Sequence, residues 1–86
     1  MKTYTEEEAL KLVQNGVLMP QRDFECRLTR EITAYKSRMR LVLHIPATYK
    51  LPMATDSSGL LYVQMPIKFD WQRQVQECIA LSQTNL

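Results

Sequence analysis

Cys26, Cys78 and His44 are the side chains of this 86-residue chain with the most intrinsic reactivity. A thiolate nucleophile needs a base beside it, and His44 is the only imidazole. Periodicity turns both cysteines toward the core and His44 away from it, so the three do not form a catalytic pair. No C-x-x-C occurs, and three Cys/His residues fall short of the four that a structural zinc site takes. Cys26 and Cys78 read as buried free thiols, with a single disulfide between them as the alternative. With only Gly16 and Gly59, no glycine-rich phosphate loop can form. These absences predict a protein that is not an enzyme and carries no metal or cofactor.

The basic residues make a second constellation. Arg22, Arg27, Arg30, Lys36, Arg38 and Arg40 fall within nineteen consecutive residues. Arginine and lysine beside tyrosine on one surface bind phosphates and stack on bases. Glu25 and Glu31 interrupt the run, and the formal net charge is only +2. That is far below the charge of a dedicated nucleic-acid tail. The acidic triplet Glu6-Glu7-Glu8 is a different case. Preceded by Thr5, it spells the T-x-x-E capping box of a helix start, where carboxylates complement the helix dipole.

The elements that must position these residues follow from periodicity. A first helix is expected over Glu6–Asn15, with Ala9, Leu10, Val13 and Val17 inward and Gly16 as its stop. Val17–Pro20 reads as an apolar connector. Three alternating stretches then predict strands: Phe24–Ala34, Met39–Ile45 and Leu61–Ile67. A turn at Tyr35–Arg38 would set Ile32 opposite Leu41 and Leu28 opposite Ile45, apolar against apolar. A second helix is capped by Asp70 and buries Trp71, Val75, Cys78, Ile79 and Ser82. Ser82–Leu86 reads as a tail.

The expected fold is therefore α+β: an N-terminal helix, a three-stranded antiparallel β-meander and a C-terminal helix (αβββα), with both helices on one face of the sheet and residues 1–86 in one domain. This order is similar to that of double-stranded RNA-binding domains. Their final helix opens on a lysine-rich KKxAK clamp. Phe69-Asp70-Trp71-Gln72-Arg73-Gln74 stands there instead, so that family is not adopted. A second reading makes Phe24–Met39 a helix, with Phe24, Leu28, Ile32, Tyr35 and Met39 on one stripe. The fold would then be a helical domain with a β-hairpin, of winged-helix-like form, and the basic segment a groove-reading helix.

Ala47–Gly59 is a long connection with Pro52 at its middle and a turn signal at Asp56–Gly59. Alternation of Tyr49, Leu51 and Met53 allows an edge strand there, hairpinned to the next. In the meander these three residues, with Tyr62, Val42 and Leu60, have no place in the core. Together with Arg27 and Arg40 on the outer sheet face they predict a docking surface. The sequence thus points to a small protein-interaction module: a regulator, accessory subunit or inhibitor that binds another protein and pairs with itself. The alternative is a nucleic-acid-binding regulator using Arg27, Arg30, Lys36, Arg38 and Arg40. The charged start MKTYTEEEALK does not resemble a leader peptide, and no apolar run reaches membrane-span length, so the expected location is the cytoplasm.

Overall fold

The computed structural model describes residues 1–84, for Thr84 the backbone only. The fold is α+β, with three helices and a four-stranded mixed sheet among the described residues. It contains two compact units, each built from two stretches of chain. The first holds Met1–Phe24 and Lys50–Phe69; the second holds Glu25–Tyr49 and the chain from Asp70.

The first unit contains the sheet. Its strands are β1 (Lys2–Tyr4), β2 (Leu18–Pro20), β3 (Met53–Asp56) and β4 (Leu61–Gln64), in the order β1-β3-β4-β2. β1 runs parallel to β3, while β4 is antiparallel to both β3 and β2. β1 and β2 thus point the same way, joined through helix α1 (Glu6–Gln14), and the β3–β4 hairpin fills the space between them. A parallel pair needs such a crossover, because no tight turn can reverse twice.

α1 begins as its sequence predicts. The Thr5 hydroxyl accepts from the Glu8 N–H at 3.1 Å, and the Glu8 carboxylate accepts from the Thr5 N–H at 2.9 Å. Gly16 ends the helix at φ +77°, with the Val17 N–H bonded to the Leu12 carbonyl at 2.9 Å. Ala9, Leu12 and Val13 pack on Tyr4, Leu18, Ala54 and Tyr62, one residue set drawn from all four strands. Leu10 and Val17, expected inward, are exposed. Leu12, not Leu10, lies on the stripe that Ala9 and Val13 define.

β1 and β2 occupy stretches expected to be irregular. Both are edge strands of three residues, too short to show alternation. Pro20 is accommodated because an edge strand tolerates a missing donor. β3 is the strand foreshadowed by the alternation through Met53, but it lies between β1 and β4 and is not an edge. β4 corrects the inward set Leu61, Val63, Met65 and Ile67. Tyr62 and Val63 are both buried, whereas Leu61 and Ile67 are exposed. Adjacent strand residues face opposite ways, so β4 buries one residue on each face and a one-wet-face pattern misreads it.

The largest correction is helix α2 (Gln21–Met39), where a strand over Phe24–Ala34 and a turn at Tyr35–Arg38 were expected. Phe24, Leu28 and Ile32 are buried at a spacing of four, the helical stripe of the second sequence reading. Thr29 and Thr33 favour sheet by propensity. In α2 their hydroxyls donate to the carbonyls of Glu25 and Thr29, each at 2.9 Å, which suits a β-branched residue to a helix. Arg30, which would have stood inward on the strand, is exposed.

Met39–Ile45 is not a strand either. α2 stops when Arg40 takes a left-handed conformation, φ 53°, and the Leu41 N–H bonds the Lys36 carbonyl at 2.9 Å. Without these two strands there is no three-stranded meander. The division between the units falls within α2, after Phe24.

In the second unit, α2 is accompanied by helix α3 (Trp71–Thr84) and an extended segment, residues 44–49. The Asp70 carboxylate caps α3, accepting from the Gln72 N–H at 3.0 Å. Val75 and Cys78 are buried, as expected, and so is Gln74. The Gln74 amide and the Cys78 thiol both donate to the Thr48 carbonyl, at 3.0 and 3.1 Å. The Ser82 hydroxyl donates to the His44 carbonyl at 3.4 Å. α3 therefore holds the 44–48 backbone along its length. Ser82–Thr84, expected to be tail, belong to α3; the rest of that tail lies outside the described residues.

Candidate functional site

α2 collects the basic residues. From Cys26 to Arg40 the chain carries five cations and one acid, Glu31. Arg27, Arg30 and Arg38 stand at i, i+3 and i+11, with the small Ala34 between them, so they share one flank of the helix over about 16 Å of rise. Two of the three are braced by aromatic rings. The Arg27 guanidinium lies 5.0 Å from the centre of the Trp71 ring, and that of Arg38 lies 5.9 Å from the Tyr35 ring. A guanidinium laid on a ring face keeps its N–H fork in the plane, directed outward, and loses less freedom on binding an anion. Arg27 also meets Glu31 at 3.9 Å, a long, loose pair on the helix surface. Arg27, Arg30, Glu31 and Ala34 line an open depression of about 370 Å³.

The crest of α2 beside this flank carries Cys26, Thr33 and Ser37, all exposed. Short side chains let another surface approach the helix closely. Cys26 is thus not a core thiol as expected; it is exposed, and only Cys78 is buried. On the far side of the crest, Thr29, Ile32, Thr33 and Lys36 form one wall of a groove of about 280 Å³. His44, Ile45, Pro46 and Ala47 form the other. Lys36 is therefore directed to a different flank from the three arginines, and Arg40 lies just past the helix end.

The residues expected to form an apolar docking surface differ in exposure. Val42 is fully exposed, at 99%. Tyr49, Leu51 and Met53 are half-buried, and the Tyr49 hydroxyl donates to the Glu25 carboxylate at 2.7 Å. Leu60 is exposed in the hairpin turn. Tyr62 is 6% exposed and faces α1 rather than outward. Its hydroxyl donates to the Asp56 carboxylate at 2.7 Å.

Asp56 is 5% exposed, and sequence reasoning assigned it no more than a turn. Its carboxylate also accepts from the Ser58 N–H at 2.8 Å, the Ser58 hydroxyl at 2.5 Å and the Leu60 N–H at 3.2 Å. The Ser58 and Tyr62 hydroxyls, helped by the two N–H groups, outweigh burial and hold the carboxyl down at about 2. The bond to Asp56, then burial and the carboxylate's charge, push the Tyr62 phenol up to about 12. Oδ1 takes the three bonds from the turn and Oδ2 the one from Tyr62 of β4, so the carboxylate ties the turn to the strand that follows it.

Among the described residues, no group of three or more His, Cys, Asp or Glu side chains is placed to hold a metal ion. No helix among them is long and apolar enough to cross a membrane. No family model, curated protein or solved structure matches the chain.

Proposed function

We propose that this chain is a non-enzymatic interaction module that binds the sugar-phosphate backbone of nucleic acid along α2. The observation that carries the reading is the arginine flank, Arg27, Arg30 and Arg38, two of whose members rest on aromatic rings. Helical spacing brings together cations that a hairpin would have divided between its two faces. Phosphate contacts of this kind supply affinity without sequence preference, and they weaken as salt rises, because counterions released into a more concentrated solution gain less entropy.

Fluorescence anisotropy with labelled single-stranded and duplex oligonucleotides tests it. The wild-type chain binds at low salt, and an Arg27→Glu, Arg30→Glu, Arg38→Glu variant with unchanged circular dichroism does not. Absence of binding at micromolar protein removes the proposal.

A second reading, docking on protein and self-association, is favoured by one feature. Met39, Val42 and Leu43 are exposed at 56%, 99% and 41% in a stretch of five residues. Apolar side chains this open at the end of a helix suit an interface centre. Light scattering across a concentration series tests it: a mass that rises in the wild type and stays monomeric in Val42→Asp supports pairing through this stretch. A monomer at every concentration removes it.

A further inference from the structure

The groove between α2 and the 44–47 segment has a composition that selects its occupant. Its floor is apolar: Ile32 and Ile45 are buried beneath it, and Pro46 lies beside them. Lys36 supplies a full positive charge, His44 supplies a ring N–H, and no carboxylate is present in the lining. Thr29 and Thr33 give up their hydroxyl protons to carbonyls of α2 itself, so toward the groove their oxygens are acceptors. The site therefore offers an apolar floor, acceptors at the side, and one cation with a ring N–H at the rim. Its volume of about 280 Å³ is near the lower end of pockets that enclose small molecules. It has room for one flat ring system with a short appendage.

A nucleotide matches each part. Its base is a flat body with donor N–H groups on the edge, its sugar carries hydroxyl donors, and its phosphate is an anion. A bare inorganic anion would leave the floor and the threonine acceptors unused. An acyl chain would leave the threonine oxygens facing hydrocarbon, unpaired. Within a duplex the bases are stacked and cannot reach such a floor, whereas an unpaired base can.

We infer that this groove seats one nucleotide of a single-stranded nucleic acid, the ring over Ile32, Ile45 and Pro46 and the phosphate between Lys36 and His44. The inference rests on the reading of α2 given above and narrows it to unpaired strands. The 44–47 wall is fixed in place from behind, since α3 holds the carbonyls of His44 and Thr48.

Adenosine monophosphate, adenosine and inorganic phosphate are titrated separately into isotope-labelled protein and followed by amide shifts. The monophosphate is expected to move the amides of Thr29, Ile32, Thr33, Lys36, His44 and Ile45 saturably. Adenosine and phosphate alone are expected to bind about tenfold or more weakly, since each loses either the charge-assisted contacts or the floor. Lys36→Ala and His44→Ala each weaken the monophosphate by about tenfold and leave the melting curve unchanged. The same two variants are then measured against labelled poly-adenylate. Weaker binding of the strand supports the inference. If the strand still binds through the arginines, is indifferent to both variants, and the monophosphate shifts nothing in the groove, the groove is not a nucleotide seat and the broader reading stands. If duplex binds and the unpaired strand does not, this inference falls alone; if neither binds, the broader reading falls and takes this one with it.

Discussion

At the residue level, Asp56 and Tyr62 are the pair with the most to lose. Asp56 sits near 2 when folded, below its ordinary 3.8, so between these values the unfolded chain binds more protons than the folded one. Its contribution to stability is complete above about 4 and is lost as pH falls through 3.8 toward 2. Tyr62 behaves oppositely at the other end. Its folded value near 12 exceeds the ordinary 10.0, so its contribution is complete below 10 and is lost as pH rises through 12. Urea midpoints measured from pH 2 to 5 should fall toward acid in the wild type and flatten in Asp56→Asn, which is less stable than wild type at neutral pH. Tyr62→Phe should cost about 1.5–3 kcal/mol at neutral pH, the value of one hydrogen bond to a charged group, and should flatten the alkaline limb. An Asp56→Asn curve that still bends in the acid range would place the responsible carboxylate elsewhere. The cysteines make a second residue-level prediction. Cys26 is exposed and Cys78 is buried with its thiol on the Thr48 carbonyl. An alkylating reagent should modify Cys26 alone in the folded chain and both in urea, as peptide mass spectrometry would resolve. Rapid labelling of Cys78 under native conditions would mean that α3 does not hold the 44–48 segment closed.

At the level of elements, the chain announces those whose signals are local. The capping box at Thr5–Glu8, the glycine stop at Gly16, the Asp56–Gly59 turn and the Asp70 cap are each spelled within a few residues, and each is found. β1 and β2 are not legible because three residues cannot display a period and their partners are dozens of positions away. α2 is the instructive case. Its apolar residues satisfy both periods at once, Phe24, Leu28 and Ile32 being separated by four, which is even as well as nearly one helical turn. Thr29 and Thr33 favour strand by propensity, whereas in α2 their hydroxyls donate to carbonyls of the helix itself. For the same reason the cations were legible as a set but their arrangement was not: a strand would have put Arg27 and Arg30 on opposite faces. Two substitutions separate helix from strand. Ala34 is exposed in mid-helix, so Ala34→Gly should lower stability by about 1 kcal/mol through backbone freedom alone. Leu28 is fully buried, and Leu28→Ala should cost about 2–5 kcal/mol, a large fraction of what an 86-residue chain has. Denaturant melts of both variants, read with carbonyl chemical shifts over 24–39, check the assignment. Extended shifts there, or an Ala34→Gly variant indistinguishable from wild type, would contradict α2.

For the molecule as a whole, the formal charge of +2 conceals a division. The first unit carries Lys2, Lys11, Arg22, Lys50 and Lys68 against Glu6, Glu7, Glu8, Asp23 and Asp56, and balances. The second holds six cations against four acids, so it supplies the entire excess. A modest net charge is thus compatible with a locally positive surface, and what decides binding is the potential where a phosphate lands rather than the total. The salt dependence of oligonucleotide affinity measures this directly. Three phosphate contacts along the arginine flank should give a slope of log affinity against log salt of about −2 to −3, and each arginine removed should flatten it by about 0.7–0.9. Arg40 separates charge from folding. It occupies the left-handed stop of α2, where a non-glycine residue costs about 1–2 kcal/mol, so Arg40→Gly removes a cation while relieving the backbone. That variant should melt at or above the wild-type temperature. If Arg40 also meets phosphate, its slope is shallower than wild type; if the slope is unchanged, the contact surface ends within α2. A slope unmoved by Arg27, Arg30 and Arg38 but flattened by replacing Lys2, Lys11 or Lys50 would transfer the interface to the first unit, because only there are those cations found.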